Sequence, residues 1–167
     1  MRRRRLELDV SYAARRPWVP SARKLARWAQ AALERQAAAR ESQARDGGGP
    51  QVSQAALSVR VVGQARSRSL NEKYRRKARP TNVLSFEGAG PMPDGHWQLG
   101  ELVICAPVVA REARSQGKTL EAHWAHLTVH GVLHLLGYDH ESARDAAGME
   151  AAEIQILDRL GFSDPYR

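Results

Sequence analysis

Residues 120–136 constrain the fold of this 167-residue chain more than any other stretch, because they are apolar almost all the way round a helix. A helix of that kind lies buried in the middle of a folded molecule. Its one narrow polar stripe consists of His123, His126, His130 and His134. A polar stripe on a buried helix has to face a cleft, a metal ion or another buried polar group. The stretch therefore predicts a central helix that carries a functional site.

His130 and His134 are one helical turn apart, which places their imidazole rings side by side. Gly137 follows, and glycine adopts the left-handed conformation that ends many helices, so the turn can bring His140 over the same face. Three neutral imidazoles with no fourth protein ligand in the motif describe an open metal site. Zinc fits best, with Zn–N distances of about 2.0–2.1 Å and water in the fourth position. The motif predicts one Zn²⁺ per chain, held by His130, His134 and His140.

Two other functions share this pattern of histidines. The zinc motif H-E-x-x-H-x-x-G-x-x-H of metallopeptidases has a glutamate, the general base, where this chain has Gly131. An amide hydrolase would need a carboxylate from elsewhere in the chain to replace it. A non-catalytic protein would instead close a structural metal site with a fourth ligand, for which His123 and His126 are the candidates.

Composition favours a cytoplasmic protein that contacts nucleic acid. The net charge is +8 and the sequence pI is about 10.4, and a basic balance of this size favours polyanionic partners. The single cysteine, Cys105, lies in an apolar run, so we expect a buried thiol, no disulfide within the chain and a reducing compartment. No apolar stretch reaches the roughly 20 residues needed to span a bilayer, so we expect no membrane partner.

The hydrophobic pattern predicts four strands and about five helices. The strands are predicted at residues 6–10, 56–63, 81–86 and 99–104. The helices are predicted from Ser21 as N-cap to about residue 36, and at residues 64–77, 107–117, 120–136 and 143–160. We expect a flexible loop at about residues 40–54 and a second loop at residues 87–98, both rich in glycine. The composite is an α+β fold in which a four-stranded sheet packs with about five helices, in a single domain over residues 1–167 that begins with an Arg-rich segment.

Residues 71–80 form a strongly basic segment that ends at Pro80. On charge alone, such a segment is most often a solvated helix end. It can also contact phosphate, because arginine presents a planar fork of donors that suits phosphate oxygens. The proline-bounded turn comes just before a buried strand, where a side chain can be directed into a cleft.

Two long motifs resemble the signatures of the YbeY family, bacterial endoribonucleases of ribosomal RNA maturation. The first motif is His130-Gly131-x-x-His134-x-x-Gly137-Tyr138-Asp139-His140. The second is Leu70-Asn71-x-x-Tyr74-Arg75-x-Lys77-x-x-Pro80-Thr81-Asn82-Val83-Leu84-Ser85-Phe86. Two shorter stretches are also similar, namely Gly100-Glu101-Leu102-Val103-Ile104 and the ending Asp164-Pro165-Tyr166. The likeness runs from about Val59 to Tyr166, which is most of the chain.

The resemblance implies a zinc-type ion on His130, His134 and His140, and a catalytic or RNA-contacting role for Arg75. It implies a metal-dependent, single-strand-specific endoribonuclease that acts in 16S rRNA 3′-end maturation and in small ribosomal subunit biogenesis and quality control. The expected partners are 16S rRNA and the small subunit with its proteins, in the cytoplasm. With this resemblance, the non-catalytic alternative becomes a ribosome-assembly protein with a structural metal. Water activated by the metal would attack the phosphodiester, while Arg75 stabilises charge on the phosphate.

The chain departs from the family pattern in three places. Asn82 stands where many members have Asp, and Glu87 stands where many have Pro. The Arg-rich start and the Gly-Gly-Gly-Pro sequence at residues 47–50 are not part of the pattern. Asp139 and Glu101 are candidates to orient a ligand imidazole by hydrogen bonding, and the alternative is that both are ordinary turn and sheet-edge carboxylates.

Overall fold

The computed structural model describes residues 4–43, 53–139 and 141–167. Its elements are, in chain order, β1 (Arg5–Tyr12), α1 (Ala22–Gln43), β2 (Gln54–Val62), α2 (Gln64–Arg75), β3 (Val83–Pro91), β4 (His96–Cys105), α3 (Ala106–Ser115), α4 (Leu120–Leu135) and α5 (Ala143–Leu160). The sheet order is β1-β2-β4-β3. Strands β1, β2 and β4 run parallel, and β3 runs antiparallel to β4. Within the described residues, the prediction of an α+β fold with four strands and about five helices is confirmed.

Two hydrophobic cores lie on opposite faces of the sheet. Successive side chains of a strand point to opposite faces, and in β4 Leu102 and Ile104 belong to the larger core while Val103 and Cys105 belong to the smaller one. Helix α4 packs against α1, α3, α5 and strands β3 and β4, and most of its apolar residues belong to the larger core. The predicted central, buried helix that carries the histidines is therefore confirmed.

The ends of α4 and α5 follow the predicted signals. Thr119 caps α4, because its Oγ1 accepts a hydrogen bond from the backbone N–H of Ala122 at 3.1 Å. Gly137 has a φ of +97° just after α4, the left-handed conformation that turns the chain. Helix α5 spans the predicted residues 143–160 and ends at Gly161, whose φ is +89°.

Two helix ends differ from the sequence prediction. Helix α1 continues to Gln43, although the amphipathic pattern is lost near residue 37, because that segment is rich in alanine, the best helix former. Residues 44–52 of the predicted loop lie outside the described residues. Helix α2 ends at Arg75 rather than at residue 77, because Arg76 adopts the left-handed conformation with a φ of 57°.

The loop predicted at residues 87–98 is wrong, because β3 and β4 continue into it and form a hairpin. Glycine is needed in this region because the two strands approach each other closely. A Cβ on Gly88, inside the predicted loop, would lie 2.4 Å from the backbone carbonyl oxygen of Gln98 on the facing strand. The same residue type that ordinarily marks a loop is required here by the strand pairing.

Cys105 is fully buried, as its apolar surroundings predict. None of the described helices combines the length and apolar character that crossing a bilayer would require.

Candidate metal centre and its cleft

His130 and His134 present one ring nitrogen each to the same point. Their Nε2 atoms are 3.1 Å apart, and their ring centroids are 4.6 Å apart. Both rings line a cleft of about 850 Å³ between α4, the end of α2 and strand β3. Two nitrogens bound to one tetrahedral zinc ion at about 2.0–2.1 Å would be roughly 3.3–3.4 Å apart. The observed separation is close to that value, so the pair fits a shared ion.

The other nitrogen of His130 contacts a buried carboxylate. His130 Nδ1 lies 2.5 Å from Oε1 of Glu153, a residue of α5 that is 0% exposed. The second oxygen of Glu153 is 3.1 Å from His126 Nε2 and also accepts a hydrogen bond from the Tyr166 hydroxyl. Burial raises the pKa of the Glu153 carboxyl, but the hydrogen bonds from His126, His130 and Tyr166 outweigh it and lower the pKa to about 2.

The same stripe of α4 offers a second possible set of metal ligands. His126, His130 and Glu153 each present one ligand atom, and the three atoms lie within 4.8 Å of one another. This set shares His130 with the His130–His134 pair. His126 was one of the two candidates for a fourth zinc ligand. The other, His123, is buried and contacts Glu112 of α3 through Nε2 at 2.7 Å.

His140, the third predicted ligand, lies outside the described residues. The residues on either side of it, Asp139 and Glu141, both line the cleft that contains His130 and His134. Asp139 follows the left-handed turn at Gly137 by two residues. The predicted turn at Gly137 is present, and the placement of His140 itself stays a prediction.

Arg75 is the last residue of α2 and lines the same cleft. Its Nη2 donates a long hydrogen bond of 3.4 Å to the backbone carbonyl of Ser85. The Ser85 hydroxyl in turn donates to the carbonyl of Gly131 at 3.5 Å, one residue after His130. The guanidinium is thus connected through β3 to the helical turn that carries the histidines. Lys77 and Arg79 also line the cleft, along with three acidic residues, Glu87, Asp139 and Glu141.

Among the described residues Glu101 contacts no histidine, which favours the alternative of an ordinary carboxylate of the sheet. It forms an ion pair with Arg60 of β2, with distances of 2.7 and 2.9 Å from Arg60 Nη2 to the two carboxylate oxygens. Glu101 of β4 pairs with Ser58 of β2, and Arg60 lies two residues after Ser58, on the same face of the sheet. The ion pair therefore follows from the sheet register, and Glu101 links strands β2 and β4.

Comparison with known proteins agrees with these motifs. The family model for Endoribonuclease YbeY matches residues 16–161. The chain belongs to the YbeY family. The curated YbeY relatives include an endoribonuclease YbeY of Alkalilimnicola ehrlichii, which is 50% identical over 165 residues, covering 97% of this chain and 92% of that protein. The corresponding proteins of Stenotrophomonas maltophilia and Xanthomonas campestris pv. campestris are each 48% identical over 166 residues, covering 97% of this chain and 94% of theirs.

A solved structure supports the fold of this YbeY chain. The solution structure of a Thermotoga maritima protein superposes with a TM-score of 0.52 at 22% sequence identity, covering 92% of this chain and 91% of that one. At this level of identity the likeness concerns the fold alone.

Glu153 is the residue of this YbeY site that the sequence motifs do not reveal. It lies outside both family signatures and in a different helix from the histidines. One signal was available in the sequence. Glu153 lies four residues after Met149 and four before Leu157, both buried core residues, so it occupies the apolar face of α5. A carboxylate on such a face needs buried hydrogen-bond donors, and the polar stripe of α4 supplies them.

Proposed function

We propose that this protein is a metal-dependent endoribonuclease that cuts single-stranded RNA. Its role would be in 16S rRNA 3′-end maturation and in the biogenesis and quality control of the small ribosomal subunit, in the cytoplasm, with residues 1–167 acting as one domain. The YbeY relatives, which are named as endoribonucleases, support the reaction class. The net charge of +8 supports an RNA partner.

We assign His130, His134 and His140 as the ligands of one Zn²⁺. The separation of 3.1 Å between the Nε2 atoms of His130 and His134 supports the first two, and the neighbours of His140 in the cleft support the third. When bound, a zinc ion in such a site supplies Lewis acidity and an activated water for attack on a phosphodiester. Imidazole nitrogens are ligands that zinc commonly takes in proteins.

Arg75 is assigned as the residue that stabilises charge on the reacting phosphate. Its guanidinium lines the cleft with the two histidines and carries a planar fork of donors suited to phosphate oxygens. Lys77 and Arg79 lie in the same cleft and would contact neighbouring phosphates of the strand. The observation that carries the proposal is this convergence of two facing imidazoles and an arginine in one cleft.

The proposal can be tested with an RNA of the 16S 3′-end sequence, presented as a single strand and as a duplex with its complement. The zinc-loaded protein should cut the single strand, leave the duplex and unfolded casein intact, and lose activity when zinc is chelated. His134→Ala should lose both zinc and cleavage. His96→Ala is the matched control, because His96 is exposed and contacts Gln54 and Asp94 away from the cleft.

Two results would contradict the proposal. Cleavage of casein in place of RNA would assign the protein to the amide hydrolases. Full zinc content in His134→Ala, by elemental analysis, would place the ion elsewhere, with His126, His130 and Glu153 as the next candidate set.

Binding of the protein to purified small ribosomal subunits, but not to large ones, would test the proposed partner.

A further inference from the structure

The Glu153 carboxylate is a buried group that neither zinc coordination by three histidines nor phosphate binding uses. The side chain of Glu153 is 0% exposed. Three hydrogen-bond donors contact its carboxylate, namely His126 and His130 of α4 and Tyr166 near the C-terminus. Burial of a carboxylate is costly unless it is hydrogen-bonded. Both oxygens of Glu153 are satisfied, so its position is fixed by contacts on more than one side.

The distance from Glu153 to His130 is that of a hydrogen bond. Two ligand atoms of one tetrahedral zinc ion would lie roughly 3.3–3.4 Å apart, whereas His130 Nδ1 and Glu153 Oε1 are 2.5 Å apart. That is too close for two atoms bound to a common ion, and it suits a strong hydrogen bond from a ring N–H to a carboxylate. Glu153 and His130 therefore contact each other directly, with no room for an ion between these two atoms.

A hydrogen bond at Nδ1 determines what Nε2 can do. In neutral imidazole only one ring nitrogen carries the proton, and the other has a free lone pair. With its proton held on Nδ1 by Glu153, His130 presents the lone pair of Nε2, the atom that lies 3.1 Å from His134 Nε2. A carboxylate behind a ligand imidazole fixes its tautomer and ring orientation and raises its basicity.

We propose that Glu153 is a positioning residue that holds His130 in its metal-binding tautomer, and that Tyr166 supports it from the C-terminal segment. This inference rests on the proposed function, because it assumes that His130 binds zinc through Nε2. The Tyr166 hydroxyl donates to the Glu153 oxygen that His130 does not use. The C-terminal segment thereby contributes to the metal centre from outside the histidine motif.

The direct test is the protonation pattern of His130, measured by long-range ¹H–¹⁵N correlation NMR on the zinc-free protein. We expect the proton on Nδ1 and a lone pair on Nε2. Addition of Zn²⁺ should shift the Nε2 resonance of His130 and leave the proton on Nδ1. A proton on Nε2 in the zinc-free protein would overturn the proposal. So would displacement of the Nδ1 proton by zinc, which would make Glu153 and His126 partners of the ion itself.

The second test is zinc affinity, measured by competition with a chromophoric chelator. Glu153→Gln keeps the shape but replaces the carboxylate by an amide, which can either accept from Nδ1 or donate to it, so both tautomers become populated. We expect the affinity to fall about 10- to 100-fold, the usual cost of losing such a partner. Glu150→Gln, a change at an exposed position of the same helix, is the matched control and should bind like the wild type.

The outcomes separate the two proposals. A wild-type protein that does not bind zinc would contradict the proposed function. Equal zinc affinities for the wild type and Glu153→Gln, with the His130 tautomer unchanged, would contradict only the role of Glu153. If Glu153→Gln does not fold, the wild-type NMR spectrum decides the question without it. Tyr166→Phe, which keeps the carboxylate but removes one donor, should then weaken zinc binding, and unchanged binding would remove Tyr166 from the proposal.

Discussion

Gly131 of α4 faces Leu102 of β4 so closely that a Cβ at position 131 would lie 2.8 Å from Leu102 Cδ2. Leu102 is 0% exposed and belongs to the larger core, so its side chain has little room to move. Position 131 is the one at which metallopeptidases of similar motif carry their catalytic glutamate. In this chain the position is directed at the sheet, and a side chain there would enter the core instead of the cleft.

Gly131→Glu should therefore destabilise the protein and should not create a peptidase. The introduced carboxylate would be buried without a partner and would displace Leu102, at a cost of about 3 kcal/mol or more in the free energy of unfolding. Urea unfolding measures this cost. Gly131→Ala is the control, because overpacking by one methyl group is partly offset by the better helix propensity of alanine. A stable Gly131→Glu variant that cleaves casein would show that this side chain reaches the metal.

Arg75→Ala should keep its zinc and its fold, bind RNA only modestly less tightly, and lose roughly 10²-fold or more in cleavage rate. That loss is typical when one electrostatic stabiliser of a transition state is removed. Arg75→Lys should fail as well, because lysine keeps the charge but loses the planar fork. Single-turnover cleavage at one salt concentration measures the effect.

Two neighbouring arginines serve as controls for Arg75. Arg79→Ala removes a charge from the same cleft. Arg76→Asn removes a charge that is not among the cleft residues and keeps a residue type that tolerates the left-handed backbone at this position, where φ is 57°. Both variants should cleave far faster than Arg75→Ala. Equal rates for all three would mean that the basic segment acts as a general electrostatic surface.

Zinc should raise the melting temperature of the wild-type protein, because a ligand that binds the folded chain stabilises it. At a free zinc concentration of about 100 times Kd, the stabilisation is about 2.7 kcal/mol, which for a chain of this size corresponds to roughly 5–10 °C. Differential scanning fluorimetry with and without a chelator measures the shift. His130→Ala should show little shift, and His96→Ala should behave like the wild type. A full shift in His130→Ala would mean that zinc stabilises the fold from another site.

The proximity of His130 and His134 could be predicted from the sequence because it depends on local geometry. The spacing of His130 and His134 and the turn at Gly137 depend on helix geometry, and both are found in the structure. The apolar residues that flank these histidines in the sequence also predicted that α4 would be buried, as it is. Contacts between neighbours in sequence follow from backbone geometry alone.

Glu153 and the β3–β4 hairpin were missed because both depend on partners distant in sequence. Glu153 contacts a histidine 23 residues away, and nothing in the local pattern of α5 identifies that histidine. The glycines of the hairpin carry a turn signal in isolation, and only the pairing of β3 with β4 makes Gly88 a residue of close strand approach. Tertiary context overrides local preference in both cases.

Asn82 lies against a carboxylate. Its Nδ2 donates to the two oxygens of Glu112 at 3.2 and 3.1 Å, and its Oδ1 accepts from the backbone N–H of Val83 at 2.6 Å. Burial raises the pKa of the Glu112 carboxyl, but hydrogen bonds from His123 and Asn82 outweigh it and leave the pKa below its usual value of 4.5. An ionised Glu112 is thus stabilised by a neutral amide in this chain.

Asn82→Asp should destabilise the protein by about 1–3 kcal/mol at pH 7.5, since it removes a hydrogen bond to a charged group and places two carboxylates together. In the wild type, the folded-state pKa of Glu112 is lowered, so its contribution to stability is present above the unfolded-state pKa and is lost as the pH falls through the folded-state pKa. In the variant, the two carboxylates repel each other, and protonation of either one relieves the repulsion. The penalty of the substitution should therefore shrink toward about pH 4.

Asn82→Ala separates the new charge from the lost hydrogen bond, because it removes the donor to Glu112 and adds no carboxylate. Urea unfolding of the wild type and both variants, at pH 7.5 and near pH 4, gives the two contributions. We expect Asn82→Asp to be less stable than Asn82→Ala at pH 7.5, and the difference between them to close at the lower pH as the carboxyls take up protons. A difference that stays constant with pH would mean that the introduced side chain turns away from Glu112 toward the cleft, which Asn82 also lines. In that case the new charge would act on bound RNA, and the substitution would change the salt dependence of RNA binding.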